Sequence, residues 1–509
     1  MRHLHIAAIL ILLVILSGCE TKHIPVFNWP DSTEVKKADA ELYEEISRII
    51  DSPHTENAFW GVYIKRMKDD KPYFTRNYDK SFMPASNMKL YSTASAMYFM
   101  GKDFQFKTPV FYTGEIDESG ALRGNLIIEG SGDPAISGRY RSGITTDEIL
   151  EEWVKIIKDA GIKTIVGDII ADDDFFDDNS ISGTWENGYL TYWYAAPSSA
   201  ISINDNLWQG YLYPAENPGE IARFDPPETE YMTFENNVIT TVSTARINVD
   251  YVRECEGNHV VINGWMPVGG ERERVRGCVY NATHYAATLV KEALQKNGIP
   301  VMGEARDIDD FAEAEKKEMR STGILVHIHL SPPMSEIIRI INKPSQNYYA
   351  DMLLKNLGKR FGDEGSFNGG EKVVQRFLKE AGAGGVDKFQ MVDGSGLGRK
   401  DLVQPRQTGQ LLEFMAGRPD FPEFYDSLPI AGVDGTISRR MKGEPTEGNV
   451  HAKTGYISNA RSLSGYIDDR NGERWIFSMM CNYWMGSVSN IDDMIDQVCT
   501  AIAKYPGDE

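Results

Sequence analysis

The feature that most constrains the fold is an uncharged, mostly apolar segment that follows a serine and a lysine. Residues 90–100 contain no charged side chain and end at Gly101, a pattern typical of a buried helix with a glycine stop. Ser86 stands at the predicted start of this helix, and Lys89 follows three residues later. Residues three apart share a helical face, with Cβ atoms roughly 5 to 6 Å apart. The lysine amine can therefore reach the serine hydroxyl.

Ser86 and Lys89 form the single S-x-x-K motif of the chain and predict a nucleophile beside its base. A lysine accepts a proton at neutral pH only if its pKa is lowered, which burial, a helix N-terminus or a second cation would do. The N–H groups at the helix start would face an anion formed on an attacked carbonyl group. The alternative is an ordinary surface serine and lysine.

Two further motifs follow in the order in which enzymes with this chemistry carry them. The only K-[ST]-G motif is at residues 453–455 and begins a predicted strand. S-x-N occurs at Ser202, Ser345 and Ser366. We favour residues 345–347, because they form a short loop between two helical patterns and such a loop can hold side chains rigidly in a cleft.

The ordered motifs resemble those of the penicillin-recognising serine DD-peptidases, and neighbouring segments narrow the resemblance to the class C D-Ala-D-Ala carboxypeptidase/endopeptidases. The matching segments lie within residues 58–485, at 84–90, 130–134, 196–206, 329–333, 342–351, 393–397, 432–436 and 453–466. The resemblance implies an α/β (α+β) fold. It would combine a five-stranded antiparallel sheet flanked by helices, a helical lobe, and nested, mainly β inserted domains.

The resemblance also implies the reaction. Ser86 would attack the peptide carbonyl between two D-alanines, Lys89 would take the serine proton, and Ser345 would relay it to the leaving nitrogen. The implied substrates are peptidoglycan stem peptides and cross-bridges, with β-lactam antibiotics as inhibitors. Neither a cofactor nor a metal is implied.

The implied substrate-binding residues are Asn347, Lys453, Thr454, Gly455 and Tyr456. Asn347 would hold the substrate amide, whereas Lys453 would lower the pKa of Lys89 and, with Thr454, bind the terminal carboxylate. The backbone N–H groups of Ser86 and Tyr456 would form the oxyanion hole.

Glu186 is a candidate specificity residue. Members of the family usually carry an acidic residue after a tryptophan and ahead of an Ala-Pro pair, and in some it contacts the diamino acid of the substrate. Here Trp185-Glu186 precedes Ala196-Pro197, at a spacing that is longer by a few residues. A solvated surface carboxylate is the alternative interpretation.

Three other functions compete with this one. A β-lactamase shares the motifs, but no obvious E-x-x-L-N element stands where that class places its deacylating base. A serine esterase on the same fold is the second, and a non-catalytic peptidoglycan-binding lipoprotein of the envelope is the third. An intact Ser86 and Lys89 weigh against the last.

The N-terminus predicts export. Residues 1–18 read as a signal peptide, because Arg2 precedes an apolar run too short to span a bilayer. Leu-Ser-Gly-Cys at 16–19 resembles a lipoprotein signal, in which Cys19 is lipidated and residues 19–34 form a tether. An ordinary secretory signal is the alternative. Either predicts a location outside the cytoplasm, and the lipoprotein signal implies a membrane-anchored protein of the periplasm and cell envelope.

The spacing of the motifs predicts an interrupted catalytic domain. We expect its first part at 35–103, inserted, mainly β domains at 104–320, and its second part at 321–509. The segment between the S-x-x-K and S-x-N motifs is far longer than a helical lobe needs, and it is rich in short strand patterns.

Charge, cysteine and histidine patterns limit the partners. A formal net charge of -21 argues against nucleic acid. Besides Cys19 the cysteines are Cys255, Cys278, Cys481 and Cys499; pairs 255–278 and 481–499 would be the favoured disulfides, with free buried thiols as the alternative. No H-E-x-x-H motif is present, and His327 and His329 are expected on opposite strand faces, so we expect no metal site.

Overall fold

The computed structural model describes residues 37–506 except Glu444. The predicted signal peptide, Cys19 and the tether lie outside the described residues, so their predictions stay untested. None of the helices that the structure describes is both long and apolar enough to cross a membrane.

Five sheets organise the described chain, with strands β1 to β19 numbered along the sequence. In spatial order the first sheet contains β17 (His451–Ile457), β18 (Ala460–Asp468), β19 (Arg474–Asn482), β1 (Phe59–Arg66) and β2 (Phe74–Arg76). The second contains β15 (Ala305–Asp307), β8 (Ile169–Asp172), β6 (Leu126–Glu129), β3 (Lys107–Tyr112) and β16 (Ile324–Leu330). The small sheets are β4 (Glu115–Ile116), β5 (Ala121–Arg123) and β7 (Thr164–Ile165); β10 (Arg223–Asp225), β9 (Leu207–Tyr213) and β14 (Glu273–Cys278); and β11 (Thr233–Thr241), β13 (His259–Pro267) and β12 (Asn248–Arg253).

Helices surround and connect these sheets. Those of the described chain are α1 (Lys37–Ile50), α2 (Met88–Met100), α3 (Thr146–Asp159), α4 (Ala282–Lys296), α5 (Glu313–Thr322), α6 (Met334–Asn342), α7 (Asn347–Phe361), α8 (Phe367–Glu380), α9 (Pro405–Ala416), α10 (Phe421–Ser427) and α11 (Val488–Lys504).

The first sheet joins the two ends of the described chain. All of its pairings are antiparallel, and β1 lies between β2 and β19, with Tyr63 opposite Ser478. The strand β1 is almost wholly buried, as expected of a strand covered on both faces. Helices α1 and α11 share one apolar cluster with this sheet, and α9 contacts β1 and β19. The predicted α+β class with a five-stranded antiparallel sheet is confirmed.

A helical lobe surrounds α2. The ten residues Met88–Met97 of this helix are all buried, because α6, α7, α8 and α9 pack around it. This burial explains why the segment lacks charge. It also carries Lys89 into the interior of the protein.

The strands between α2 and α6 form separate apolar clusters. One lies between the second sheet, α3 and α4, and another lies among the strands of residues 207–278. The second cluster interrupts the sequence of the first, since β14 leads into α4. Strand β16 pairs with β3, so the second sheet extends beyond the predicted boundary at residue 320.

Two sequence expectations meet different observations here. The four cysteines Cys255, Cys278, Cys481 and Cys499 are free, so neither favoured pair is formed. The rings of His327 and His329 both lie against Trp153, with centroids 6.3 and 5.4 Å from it. The expectation of opposite faces was wrong, because residues two apart in a strand share a face.

Candidate active site

The predicted nucleophile lies where the helical lobe meets the first sheet. Ser86 is in a single 3₁₀ turn, Ala85–Asn87, that leads directly into α2. Ala85 has a left-handed φ of 47°, a conformation that costs energy for a residue with a Cβ and that often marks functional sites. Ser86 is partly exposed, whereas Lys89 is fully buried. The serine is therefore accessible from solvent, whereas the lysine lies in the interior behind it.

The Lys89 amine has three oxygen acceptors. Its Nζ lies 2.8 Å from Ser86 Oγ, 2.7 Å from Asn347 Oδ1 and 2.6 Å from the carbonyl oxygen of Ser395. An ammonium group has three N–H donors, so each one has a partner. The structure thus brings Ser86, Lys89 and Asn347 together.

Burial lowers the pKa of Lys89 to about 8. The carboxyl groups of Asp351, Asp393 and Asp401 act in the opposite direction. A lysine with this pKa is neutral in a useful fraction of molecules near neutral pH, which a general base requires.

Lys453 and Ser345 form a second contact set beside the first. Lys453 Nζ lies 2.9 Å from Ser345 Oγ, and Ser345 has a left-handed φ of 62°. Burial lowers the pKa of Lys453 well below its usual range, and the positive charges of Lys89 and Arg461 lower it further. Lys453 was expected to lower the pKa of Lys89, but burial is the main cause there.

The other S-x-N serines have structural contacts. Ser366 Oγ caps α8 by accepting a hydrogen bond from the Gly369 N–H at 2.9 Å, and Ser202 Oγ donates to the Ser199 carbonyl at 2.9 Å. Of the three, Ser345 is the one that contacts Lys453.

Strand β17 lies directly against the serine turn. Asn87 Nδ2 donates to the Lys453 carbonyl at 2.8 Å, and Thr454 Oγ1 lies 2.7 Å from Thr436 Oγ1. A Cβ on Gly455 would lie 2.4 Å from the Pro84 carbonyl oxygen, so a side chain at this position would separate the strand from the turn. The next residue, Tyr456, is 56% exposed.

Asn347 begins α7 and is held by a backbone carbonyl. Its Nδ2 donates to the Tyr194 carbonyl at 2.7 Å. This contact fixes the amide so that Oδ1 faces Lys89. Tyr194 belongs to the long segment between α2 and α6, so residues outside the helical lobe contribute to the site.

The loop 393–398 contacts Lys89 through the Ser395 carbonyl, and the sequence did not predict a role for this contact. Asp393 accepts hydrogen bonds from the N–H groups of Ser395, Gly396 and Gly398 at 3.0, 2.6 and 2.6 Å. It also accepts from the Ser395 hydroxyl at 3.1 Å and from the Trp185 indole at 2.7 Å. The signal available in the sequence was an aspartate followed by a glycine-rich turn, which is typical of a tight loop around a carboxylate.

Buried carboxyl groups surround this loop. Burial raises the pKa of Asp351 and of Asp401 well above their usual range. The N–H of Gly394 donates to Asp351 at 2.8 Å, and the N–H of Val392 donates to Asp401 at 2.7 Å.

Glu186 lies at the rim of this region. Its side chain is 54% exposed, and its nearest oxygen is 4.0 Å from Arg399 Nη1. Arg399 in turn donates to the Ser458 carbonyl at 3.0 Å, just beyond β17. This distance places Glu186 in a loose ion pair.

Within the described residues, one acidic group has the spacing of a metal site, namely Asp173, Asp174 and Asp309. Lys316 Nζ already lies 3.1 Å from Asp174 and 2.8 Å from Asp309. The lysine therefore supplies the positive charge that a metal ion would bring.

The combination of fold and site defines a class of enzyme. A serine that contacts a buried lysine three residues later, opposite a Lys-Thr-Gly strand of an antiparallel sheet, is characteristic of penicillin-recognising serine hydrolases.

The chain belongs to the D-Ala-D-Ala carboxypeptidase 3 (S13) family, which matches residues 42–502. It is 29% identical over 481 residues to a D-alanyl-D-alanine carboxypeptidase of Actinomadura sp. (strain R39), covering 92% of this chain and 85% of the relative. It is 28% identical over 439 residues to D-alanyl-D-alanine carboxypeptidase DacB of Haemophilus influenzae, covering 83% and 85%. The crystal structure of penicillin binding protein 4 (dacB) from Haemophilus influenzae matches with a TM-score of 0.75 and 27% identity, covering 90% of this chain and 97% of that one. The chain is thus a serine DD-peptidase.

Proposed function

We propose that this protein hydrolyses the D-Ala-D-Ala bond of peptidoglycan stem peptides, and the corresponding bond of cross-bridges, through an acyl-enzyme on Ser86. The observation that carries the proposal is the 2.8 Å contact between Ser86 Oγ and the buried amine of Lys89. Neutral Lys89 takes the serine proton while Oγ bonds to the peptide carbonyl carbon. The N–H groups of Ser86 and Tyr456 stabilise the resulting oxyanion.

Collapse of this intermediate breaks the C–N bond. The leaving nitrogen receives, through Ser345, the proton that Lys89 took from Ser86, and the Ser345 hydroxyl contacts Lys453 at 2.9 Å. Water then attacks the acyl-enzyme carbonyl: its hydroxyl bonds to the carbonyl carbon, the bond to Ser86 Oγ breaks, and the second water proton passes to Ser86 Oγ, which regenerates the free serine. No cofactor takes part in these steps.

Lys453 and Thr454 bind the terminal carboxylate of the substrate, and Asn347 binds its amide. Thr454 is held by Thr436, and Gly455 lets the strand approach the serine, so the carboxylate site and the nucleophile have a fixed spacing. Penicillin acylates the same serine. The similar Haemophilus influenzae protein has been solved in complex with a β-lactam, which supports this part of the proposal.

The remaining assignments depend on the family resemblance. The catalytic domain comprises two parts, predicted at 35–103 and 321–509, and mainly β domains predicted at 104–320 interrupt it. The pairing of β16 with β3 supports an insertion that continues past residue 320. Glu186 contacts the diamino acid of the substrate, and a substrate ammonium group would compete with Arg399 for it. Cys19 carries a lipid that anchors the protein to a membrane facing the periplasm.

Covalent labelling tests the proposal. Labelled penicillin should form a stable adduct on Ser86, and Ser86→Ala should abolish it. Ser95→Ala is the matched control, because Ser95 is buried in the same helix and its Oγ has no hydrogen-bond partner in the described structure. It should label like the wild type.

Each rival function predicts a different result. A β-lactamase would release the adduct rapidly, and an esterase would cleave an ester analogue but leave the D-Ala-D-Ala amide intact. A non-catalytic protein would form no adduct. Mass spectrometry that finds no adduct, or an adduct on another residue, would refute Ser86 as the nucleophile.

A further inference from the structure

The orientation of the Lys89 amine is controlled by two carbonyl oxygens. A neutral amine has two N–H groups and one lone pair, and only the lone pair can take the serine proton. Asn347 Oδ1 at 2.7 Å and the Ser395 carbonyl at 2.6 Å accept the two N–H groups. The third direction is toward Ser86 Oγ at 2.8 Å. Both acceptors must therefore stay in place for Lys89 to act as a base.

The first acceptor is held from outside the helical lobe. The Tyr194 carbonyl accepts the hydrogen bond from Asn347 Nδ2 at 2.7 Å. A rotated amide would present Nδ2 to the Lys89 amine instead, and two donors would then face each other. The Tyr194 contact prevents this rotation.

The second acceptor is held through Asp393. Four of the five hydrogen bonds to this carboxyl group come from its own loop, and they set the direction of the Ser395 carbonyl. The fifth comes from the indole of Trp185 at 2.7 Å and joins Asp393 to the segment that also contains Tyr194. The neighbouring Gly394 is held separately, since its N–H donates to Asp351 at 2.8 Å and its carbonyl accepts from Ser92 Oγ at 2.6 Å. Trp185 is 7% exposed and packs with Leu397 of the same loop.

Trp185 and Tyr194 lie in one short segment. We propose that residues 185–194 act as a positioning brace that holds both acceptors of the Lys89 amine and so aims its lone pair at Ser86. Trp185 is a positioning residue in this proposal, because it acts through Asp393 and the Ser395 carbonyl. The inference rests on the proposed role of Lys89 as the base.

Buried ionisable groups surround the Lys89 amine that the brace positions. The ionisable groups that act on Lys89 or feel its charge are Asp351, Asp393, Asp401 and Lys453. The indole of Trp185 carries no charge, so its removal changes hydrogen bonding without adding or deleting a charge. A Trp185 variant therefore separates the effect of orientation from the effect of charge.

The test compares two tryptophan variants. Trp185→Phe removes the indole N–H that holds Asp393 but retains a large ring. Trp475→Phe is the matched control, because the Trp475 indole also donates to a buried aspartate, Asp469, at 3.1 Å, and its ring packs in the apolar cluster that α1 and α11 share with the first sheet. Stopped-flow acylation by a fluorescent penicillin yields the dissociation constant of the first complex and the acylation rate constant separately.

We expect Trp185→Phe to lower the acylation rate constant about tenfold, with the dissociation constant unchanged within about twofold. Trp475→Phe should leave both constants unchanged, although it lowers the melting temperature. The amplitude of labelling counts the folded enzyme, so a partly folded variant still yields a rate constant per active site.

Two results would overturn the proposal. One is an unchanged acylation rate constant in Trp185→Phe, and the other is a weaker first complex with a normal rate constant, which would make Trp185 part of the binding surface. A wild type that is not acylated on Ser86 would instead refute the proposed function itself. Wild-type acylation with an unaffected Trp185→Phe would refute only the brace.

Discussion

Replacement of Gly455 by alanine tests the close approach of β17 to the serine turn. The added Cβ would lie 2.2 Å from Ser462 Oγ, 2.4 Å from the Pro84 carbonyl oxygen and 3.1 Å from the Ser86 nitrogen. An ordinary contact begins at 3.4 Å. The Pro84 contact therefore requires the strand and the turn to separate by about 1 Å, because the Pro84 oxygen belongs to the backbone and the position of an alanine Cβ is fixed by the backbone, so neither can rotate away.

The expected loss follows from this displacement. A misplacement of about 1 Å between reacting groups costs roughly 100-fold in rate. The Lys453 amine and the Ser86 hydroxyl would be shifted by this amount relative to each other. Overpacking at a buried strand should also lower the free energy of unfolding by about 1 to 3 kcal/mol.

The assay is the rate of covalent labelling by penicillin, measured together with thermal unfolding. Gly417→Ala is the control, because its Cβ would have a single neighbour, the Phe414 carbonyl oxygen at 3.6 Å. It should change neither the rate nor the melting temperature appreciably. A Gly455→Ala protein that labels within about threefold of the wild-type rate would show that the turn tolerates separation and would refute the reasoning.

Three other predictions concern charge. Because burial holds the pKa of Lys89 at about 8, the acylation rate should rise as pH increases through about 8; a flat profile between pH 6 and 10 would contradict Lys89 as the base. Lys453→Ala should lower acylation efficiency by more than about thirtyfold. Conversion of the substrate carboxylate to an amide should impair the wild type strongly and the variant little further, whereas an amide cleaved as well as the acid by wild type would remove the carboxylate role. Burial raises the pKa of Asp133 to about 7, so the folded protein binds this proton more tightly than the unfolded chain does. The free energy of unfolding should then fall between about pH 4 and 7. About 3 kcal/mol of this fall lies between pH 5 and 8, and Asp133→Asn should remove it in urea titrations at these two pH values. An equal difference between the two pH values in the wild type and the variant would contradict this prediction.

The parts of the site that form locally could be predicted from the sequence. Ser86 and Lys89 are three residues apart at a helix start, so their contact follows from helical geometry alone. The motif order led to Ser345 and Lys453, and their 2.9 Å contact agrees with that choice. The α+β class and the five-stranded sheet also followed from the pattern and the resemblance.

The parts of the site that depend on long-range backbone contacts could not be predicted from the sequence. The Ser395 carbonyl reaches Lys89 from 306 positions away, and any residue type provides a carbonyl, so no side-chain pattern identifies it. The Tyr194 carbonyl is a similar case. Strand β16 pairs with β3, which lies far from it in the sequence. Local strand and helix patterns do not show which distant strands pair, so they could not place the boundary after β16.

The position of β1 in the first sheet determines when, during synthesis, the active site can form. The strand β1 is synthesised early, yet one of its two neighbours is β19, near the other end of the described chain. The contact between Asn87 and Lys453 likewise joins residues 366 positions apart. Such distant pairings form late and slowly, because a long loop must close first. During most of its synthesis the chain therefore contains Ser86 but lacks the Lys453 strand that completes the active site. Hydrolytic activity begins only once β17 to β19 have been added.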